Sequence, residues 1–209
     1  MARLLGPKCK RCRREKEKLF LKGERCYTPK CAMVKRNYLP GTHGQKGKGM
    51  LTEYNLHLRE KQKAKKIYGI LEKQFKKYFQ IAAKKIGETG EVLVKLLESR
   101  LDNVIFRLGF ASSRSQARLL VSHNHIKVNG KQVNIPSYQV KVGDIIEIKE
   151  SSKKNKYFQG IKAKGKAEDV PKWLKLNTKT LKGEVVSLPT SADLDKKINT
   201  QLIVEYYSR

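Results

Sequence analysis

The sequence predicts an α+β protein in three parts: a strongly basic N-terminal arm, a mainly helical body closed by a C-terminal helix, and an inserted module of short helices packed on a small antiparallel sheet. Three observations carry this reading. All four cysteines fall within residues 9–31, in a very polar stretch. Apolar residues recur at helical spacing from residue 52 onward. Between residues 100 and 148, two helical patterns run into alternating strands about an Asn-Gly turn. The expected boundaries are 1–50 for the arm and its Gly/Lys loop, 51–97 with 178–209 for the helical body, and 98–177 for the module and its connector.

Charge limits the partners. Lysine and arginine number 47 against 19 acidic residues in 209, a formal net charge of +28. Such an excess speaks about association rather than fold, and its natural counter-surface is a polyanion. No apolar run approaches the roughly 18 residues that span a bilayer, and charge interrupts "MARLLGPKCKRCRREKEK" before any secretory core of about 7–15 apolar residues. The expectation is a cytoplasmic chain bound to nucleic acid, with no membrane and no small-molecule substrate.

In the arm, Cys9, Cys12, Cys26 and Cys31 are spaced C-x2-C-x13-C-x4-C. Two close pairs separated by a medium loop suit four thiolates around one structural zinc ion. Two disulfides and four incidental thiols are the competing readings. Reducing cytosol disfavours the first, and clustering in a hydrophilic segment disfavours the second. His43 is a possible substitute ligand, but four sulfurs already close the shell. Residues 1–48 hold 15 Lys and Arg against 3 Glu. Lys10, Arg11, Arg13 and Arg14 would thus be cations that the metal helps to present to phosphates. The following loop, "NYLPGTHGQKGKGML", carries Lys46 and Lys48 among Gly41, Gly44, Gly47 and Gly49, a composition that lets backbone approach a phosphate closely.

The helical body begins at Thr52. Leu56, Tyr68, Leu71, Phe75, Tyr78 and Phe79 mark one face, with a bend near Gly69, and the opposite face is lysine-rich. A second helix fits "EVLVKLLESR", opened by Thr89. In the module, Leu101, Val104, Ile105 and Leu108 share a helical face that Gly109 stops. Ser113 to Gln116 reads as a capping box, with Ala117, Leu120 and Val121 inward and Arg114 and Arg118 on an exposed face. "IKVNGKQV" is a hairpin about Asn129-Gly130, and "DIIEI" a further strand. In the tail, "KKNKYFQGIKAKGKAE" reads as a basic connector, "VPKWLKLN" as an aromatic anchor and "GEVVSLP" as a strand. Ile198, Leu202 and Tyr206 mark a final helix that packs on the helices after residue 51.

The block "SRLDNVIFRLGFASSRSQARLLVSHNHIKVNGKQVNIPSYQVKVGDII" closely resembles the S-four RNA-binding domain. "MARLLGPKCKRCRRE", "PGTHGQKGKGMLTEYNLHLREKQKAKKIYGILEKQF" and "INTQLIVEYYSR" resemble the bacterial S-four family of small-subunit ribosomal proteins, in its zinc-carrying four-cysteine form. The resemblance implies a structural protein that binds small-subunit ribosomal RNA directly and nucleates assembly of the RNA's 5′ domain at a multi-helix junction. It further implies contact with small-subunit protein five and a position near the messenger entry channel. By the same resemblance, Arg114, Ser115, Arg118, His123 and Lys127 face RNA from the module, and Arg59, Lys61, Lys63 and Lys65 from the basic "LREKQK" helix. Lys46 and Lys48 would lie near messenger RNA, although the added glycine in this loop departs from the family's spacing. The alternative is a non-ribosomal RNA-binding or RNA-modifying protein that uses the module for targeting. It lacks any visible nucleophile, phosphate loop or convergent pair of acids.

Overall fold

The computed structural model describes residues 4–46, 52–164, 170–178, 180–190 and 198–208. In chain order, the helices before the sheet are α1 (Lys8–Glu15), α2 (Ala32–Lys35), α3 (Glu53–Tyr68), α4 (Glu72–Lys84), α5 (Thr89–Glu98), α6 (Leu101–Arg107) and α7 (Arg114–Ser122). Strands β1 (Ile126–Val128), β2 (Lys131–Gln132) and β3 (Ile145–Ile148) follow, then α8 (Glu150–Lys153) and α9 (Lys156–Lys164). Strands β4 (Leu174–Asn177) and β5 (Lys182–Val185) precede the last helix, α10 (Thr200–Ser208). The chain divides into two units, Met1–Leu93 with Asp195–Arg209, and Val94–Leu194. Among the described residues no helix is long and apolar enough to cross a membrane.

In the first unit, Thr52 caps α3, its hydroxyl accepting the Asn55 amide at 3.4 Å. Gly69 ends α3 at φ +66°, where the Lys65 and Lys66 carbonyls receive the next amides. The expected bend is therefore a break between two helices. The buried face of α3 is Ala64, Ile67 and Tyr68, and Leu56 is exposed instead. Phe75, Tyr78 and Ala82 give α4 its buried face. Helix α10 packs on α3 as expected, with Tyr206 against Tyr54 and Lys61, Ile203 buried and Leu202 half-buried. Its Tyr207 stacks on Phe79 with ring centroids 4.5 Å apart.

The second unit has one core. Leu101, Val104, Ile105 and Leu108 of α6 meet Ala117 and Val121 of α7 over Ile126, Val128, Ile146, Ile148 and Val185 of the sheet. This is the helix-on-sheet arrangement that the periodicity predicts. Asn129 and Gly130 take φ +50° and +76°, as the tight β1–β2 hairpin requires. All neighbouring strands are antiparallel, in the order β2-β1-β3-β5-β4.

Two features of the tail differ from expectation. The connector after residue 149 is largely helical, and Phe158 of α9 is buried in the core. Strand β5 pairs with β3 through Ile145↔Glu184, so the expected boundary at residue 178 falls inside the β4–β5 hairpin. Gly183 makes that pairing possible: a Cβ there would lie 2.4 Å from Leu108 Cδ1 of α6.

Candidate nucleic-acid interface

Helical spacing organises the cysteines of the arm. Cys9 and Cys12 lie one turn apart on α1, Cys26 ends a 3-10 turn and Cys31 precedes α2. All four are free thiols, and Cys12, Cys26 and Cys31 are buried. Together they line a cavity of about 20 Å³. The Lys22 amide donates to Cys26 Sγ at 3.3 Å. Burial pushes the Cys12 thiol up, a backbone hydrogen bond from Leu19 opposes this, and the other three thiols add to the rise. Yet among the described residues no group of three or more Cys, His, Asp or Glu stands close enough to hold a metal ion. His43 is exposed and takes no part in that lining.

The arm's cations divide by role. Lys10, Arg14 and Lys46 are exposed. Arg13 is part of the arm's own scaffold. Its guanidinium donates to the Tyr38 and Leu39 carbonyls at 2.9 and 3.1 Å and lies 4.5 Å from the Tyr38 ring centroid. Arg11 donates to the Leu5 carbonyl. Lys48 lies outside the described residues.

The basic face expected on α3 is already occupied by acids. Lys61 and Lys65 each reach Glu72 at 2.8 Å, Lys63 reaches Glu17 and Glu60 at 3.0 Å, and Arg59 reaches Glu15 at 3.3 Å. Lys66 also pairs with Glu15. Lys61 and Lys63 are buried. Burial alone would raise the Glu72 carboxyl. Hydrogen bonds from Lys61, Lys65 and Tyr207 overcome it and hold the group at about 2.

In the module, the capping box forms with a shift. Ser113 accepts the Gln116 amide at 3.4 Å, while the Gln116 side chain accepts the Ser112 amide at 3.0 Å rather than that of Ser113. Arg114 and Arg118 do not stand out into solvent. Arg114 donates to Asn103 at 2.7 Å, lies 4.0 Å from Glu98 and packs 4.7 Å from the Phe106 ring centroid. Arg118 lies 3.7 Å from Asp102. Glu98 also takes Arg107 in a two-pronged pair at 3.1 and 2.8 Å, and Asp102 takes Arg100 at 3.0 and 2.8 Å. Four arginines thus share two buried carboxylates.

Beside this cluster, Ser115 and His123 are exposed and Lys127 is half-buried on β1. The His125 ring pairs with the Ser152 hydroxyl at 2.9 Å and packs edge-on to Phe158, a packing role. Burial first, then His123 and Lys149, lower its pKa.

Residues 3–98 match the model for the ribosomal protein S4/S9 N-terminal domain, and residues 99–146 the model for the S4 domain. Over all 209 residues the chain is 58% identical to the small ribosomal subunit protein uS4 of Caldicellulosiruptor saccharolyticus, covering both chains fully. The chain belongs to the uS4 family. Matches to the uS4 proteins of Halothermothrix orenii and Nitrosospira multiformis, at 54% and 51% identity, also cover both chains in full. Proteins of the uS4 family are structural and are not enzymes.

In this uS4 chain the residues that the sequence reading missed are acids. Glu15, Glu72, Glu98 and Asp102 decide which cations are tied to the protein and which face outward. The available signal was a handful of carboxylates standing beside arginines and lysines in apolar helix faces. Composition counts them only as charge to be subtracted.

Proposed function

We propose that this chain binds small-subunit ribosomal RNA as a structural component of the small ribosomal subunit in the cytoplasm. In this reading it nucleates the RNA's 5′ domain at a multi-helix junction. One observation carries it. Even if each of the 19 acids held one cation, 28 of the 47 lysines and arginines would remain for an external polyanion. The cations that answer first are the exposed Lys10, Arg14 and Lys46 of the arm, joined on the module by the exposed Ser115 and His123 and the half-buried Lys127. Arg114 and Arg118 present guanidiniums already oriented from within. Arg59, Lys61, Lys63 and Lys65 serve mainly to fasten α3, so their contribution is indirect. RNA junctions are recognised by shape and backbone, which suits rigid, pre-positioned cations better than a flexible lysine fringe.

The arm completes the reading. Cys9, Cys12, Cys26 and Cys31 would hold one zinc ion. Four sulfurs around one cavity, with amides directed at two of them, suit a closed structural site that supplies folding energy rather than chemistry. Contact with small-subunit protein five, and a place for Lys46 and Lys48 beside messenger RNA at the entry channel, belong to the same proposal. The test is a salt titration of binding to a fragment of small-subunit ribosomal RNA. With about 10 phosphates contacted, affinity should fall about 10³- to 10⁵-fold between 50 and 200 mM salt. A flat response would sink electrostatic docking.

A further inference from the structure

The arm carries an aromatic feature that neither the cavity of the cysteines nor the surplus cations explain. Tyr27 is 77% exposed. Its ring lies against that of Phe20, with centroids 5.0 Å apart and planes inclined by 32°. Phe20 sits at φ +49°, a conformation costly for a bulky residue and found mainly where the surroundings impose it.

Those surroundings are the cysteine cluster. Phe20 lies between Leu19, which is buried and whose backbone is hydrogen-bonded to Cys12, and Leu21, which lines the thiol cavity. Tyr27 directly follows the buried Cys26, and its amide donates to the Glu24 carbonyl at 3.0 Å. The next residues are fixed as well: the Thr28 hydroxyl donates to the Arg25 carbonyl and the Cys31 amide to the Thr28 carbonyl, both at 3.0 Å. The ring is therefore held at the tip of a rigid loop. Around it in the chain, Lys22, Arg25 and Lys30 are exposed, with Glu24 the one acid between residues 18 and 31.

A pre-positioned aromatic face set among exposed cations matches the chemistry of an unpaired nucleotide. The base stacks on the ring while the flanking phosphates meet the cations. We infer that Phe20 and Tyr27 form a stacking platform for one unstacked base in a loop or bulge of the RNA. This rests on the RNA-binding reading above and adds the kind of nucleotide the arm takes. The interior of a duplex cannot serve, because its stacked bases offer no free face to a side chain.

The test uses the full-length chain and a 5′-domain fragment of small-subunit ribosomal RNA. Tyr27→Ala should weaken binding about 5- to 150-fold, the range that loss of one base–aromatic stack produces. The salt slope should not change, because no phosphate contact is removed. Tyr27→Phe should bind like the parent, since the ring and not the hydroxyl does the stacking. Independently of any variant, ultraviolet irradiation of the parent complex should cross-link Tyr27 to a single unpaired nucleotide. Equal affinity of Tyr27→Ala and the parent, or a Tyr27 cross-link to protein in the assembled subunit, would overturn the platform and leave RNA binding standing. Failure of the parent to bind in a salt-dependent way would overturn both.

Discussion

Glu98 is fully buried, and its carboxylate is divided among Arg107, Asn103 and the more distant Arg114. A charge in that position is tolerated only because its partners are equally fixed. Asn103 links the two sides, donating to Glu98 at 2.6 Å and accepting from Arg114 at 2.7 Å. Replacing Glu98 by Gln keeps the shape but strips the counter-charge from Arg107. Breaking one side of such a pair should cost about 3 kcal/mol. The expected outcome is a lower denaturant midpoint for Glu98→Gln. RNA affinity at a temperature where the variant is folded should fall as well, since Arg114 loses part of its anchor. An unchanged midpoint would mean that Arg107 finds water or another acid at no cost.

Helix α3 gives the corresponding lesson for an element. Its lysines bind it to α1 through Glu15 and to α4 through Glu72, while α10 is held by Tyr206 under Lys61 and by Glu205 at His57. Glu72 sets a pH dependence. Its folded pKa of about 2 lies below the ordinary 4.5, so folding favours the charged form. The stability it lends is present above pH 4.5 and is lost as pH falls through the interval down to about 2. Thermal unfolding followed from pH 6 to pH 2 should show a loss that Glu72→Gln shares only in part, because the variant has already surrendered this contribution. Identical slopes for the two proteins would exclude Glu72 as a contributor. Much of the module was legible beforehand. The face Leu101, Val104, Ile105, Leu108, the Ser113 cap and the Asn129-Gly130 turn all announce themselves by local spacing. The pairing of Lys61 with Glu72 does not. It depends on how the chain turns at Gly69 to bring the start of α4 back to the α3 lysines, and an unpaired lysine face has the same sequence pattern as a paired one.

At the scale of the whole molecule, charge was legible and its distribution was not. The net excess follows from counting, but the sorting of cations into internal braces and outward contacts needs the fold. Arg13 and Arg14 are neighbours in sequence, yet one braces two carbonyls and the other is exposed. The proposed zinc ion bears on this sorting, because the arm has few buried apolar side chains beyond Leu19, Leu39 and the cysteines. A structural ion contributes on the order of 10 kcal/mol to such a segment. Cys9→Ser should therefore remove the bound metal and accelerate amide exchange across residues 4–46, while Val94–Leu194 keeps its protection. Metal analysis and hydrogen exchange on one sample would check both, and full metal content in the variant would refute the ligand set.

The packing of α10 on α3 has a consequence in time. The second unit is continuous in sequence, whereas the first is assembled from two stretches that flank it. During synthesis at about 5–20 residues per second, α3 leaves the translating machinery and waits roughly 5–20 s while residues 94–194 are made. Throughout that delay Tyr54, Phe79 and Lys61 lack the tyrosines of α10 that they meet in the finished fold. The inserted unit can close on its own meanwhile, its hairpin and helices being complete. A nascent chain thus finishes its middle before its beginning, and the last helix made is the one that seals the first unit.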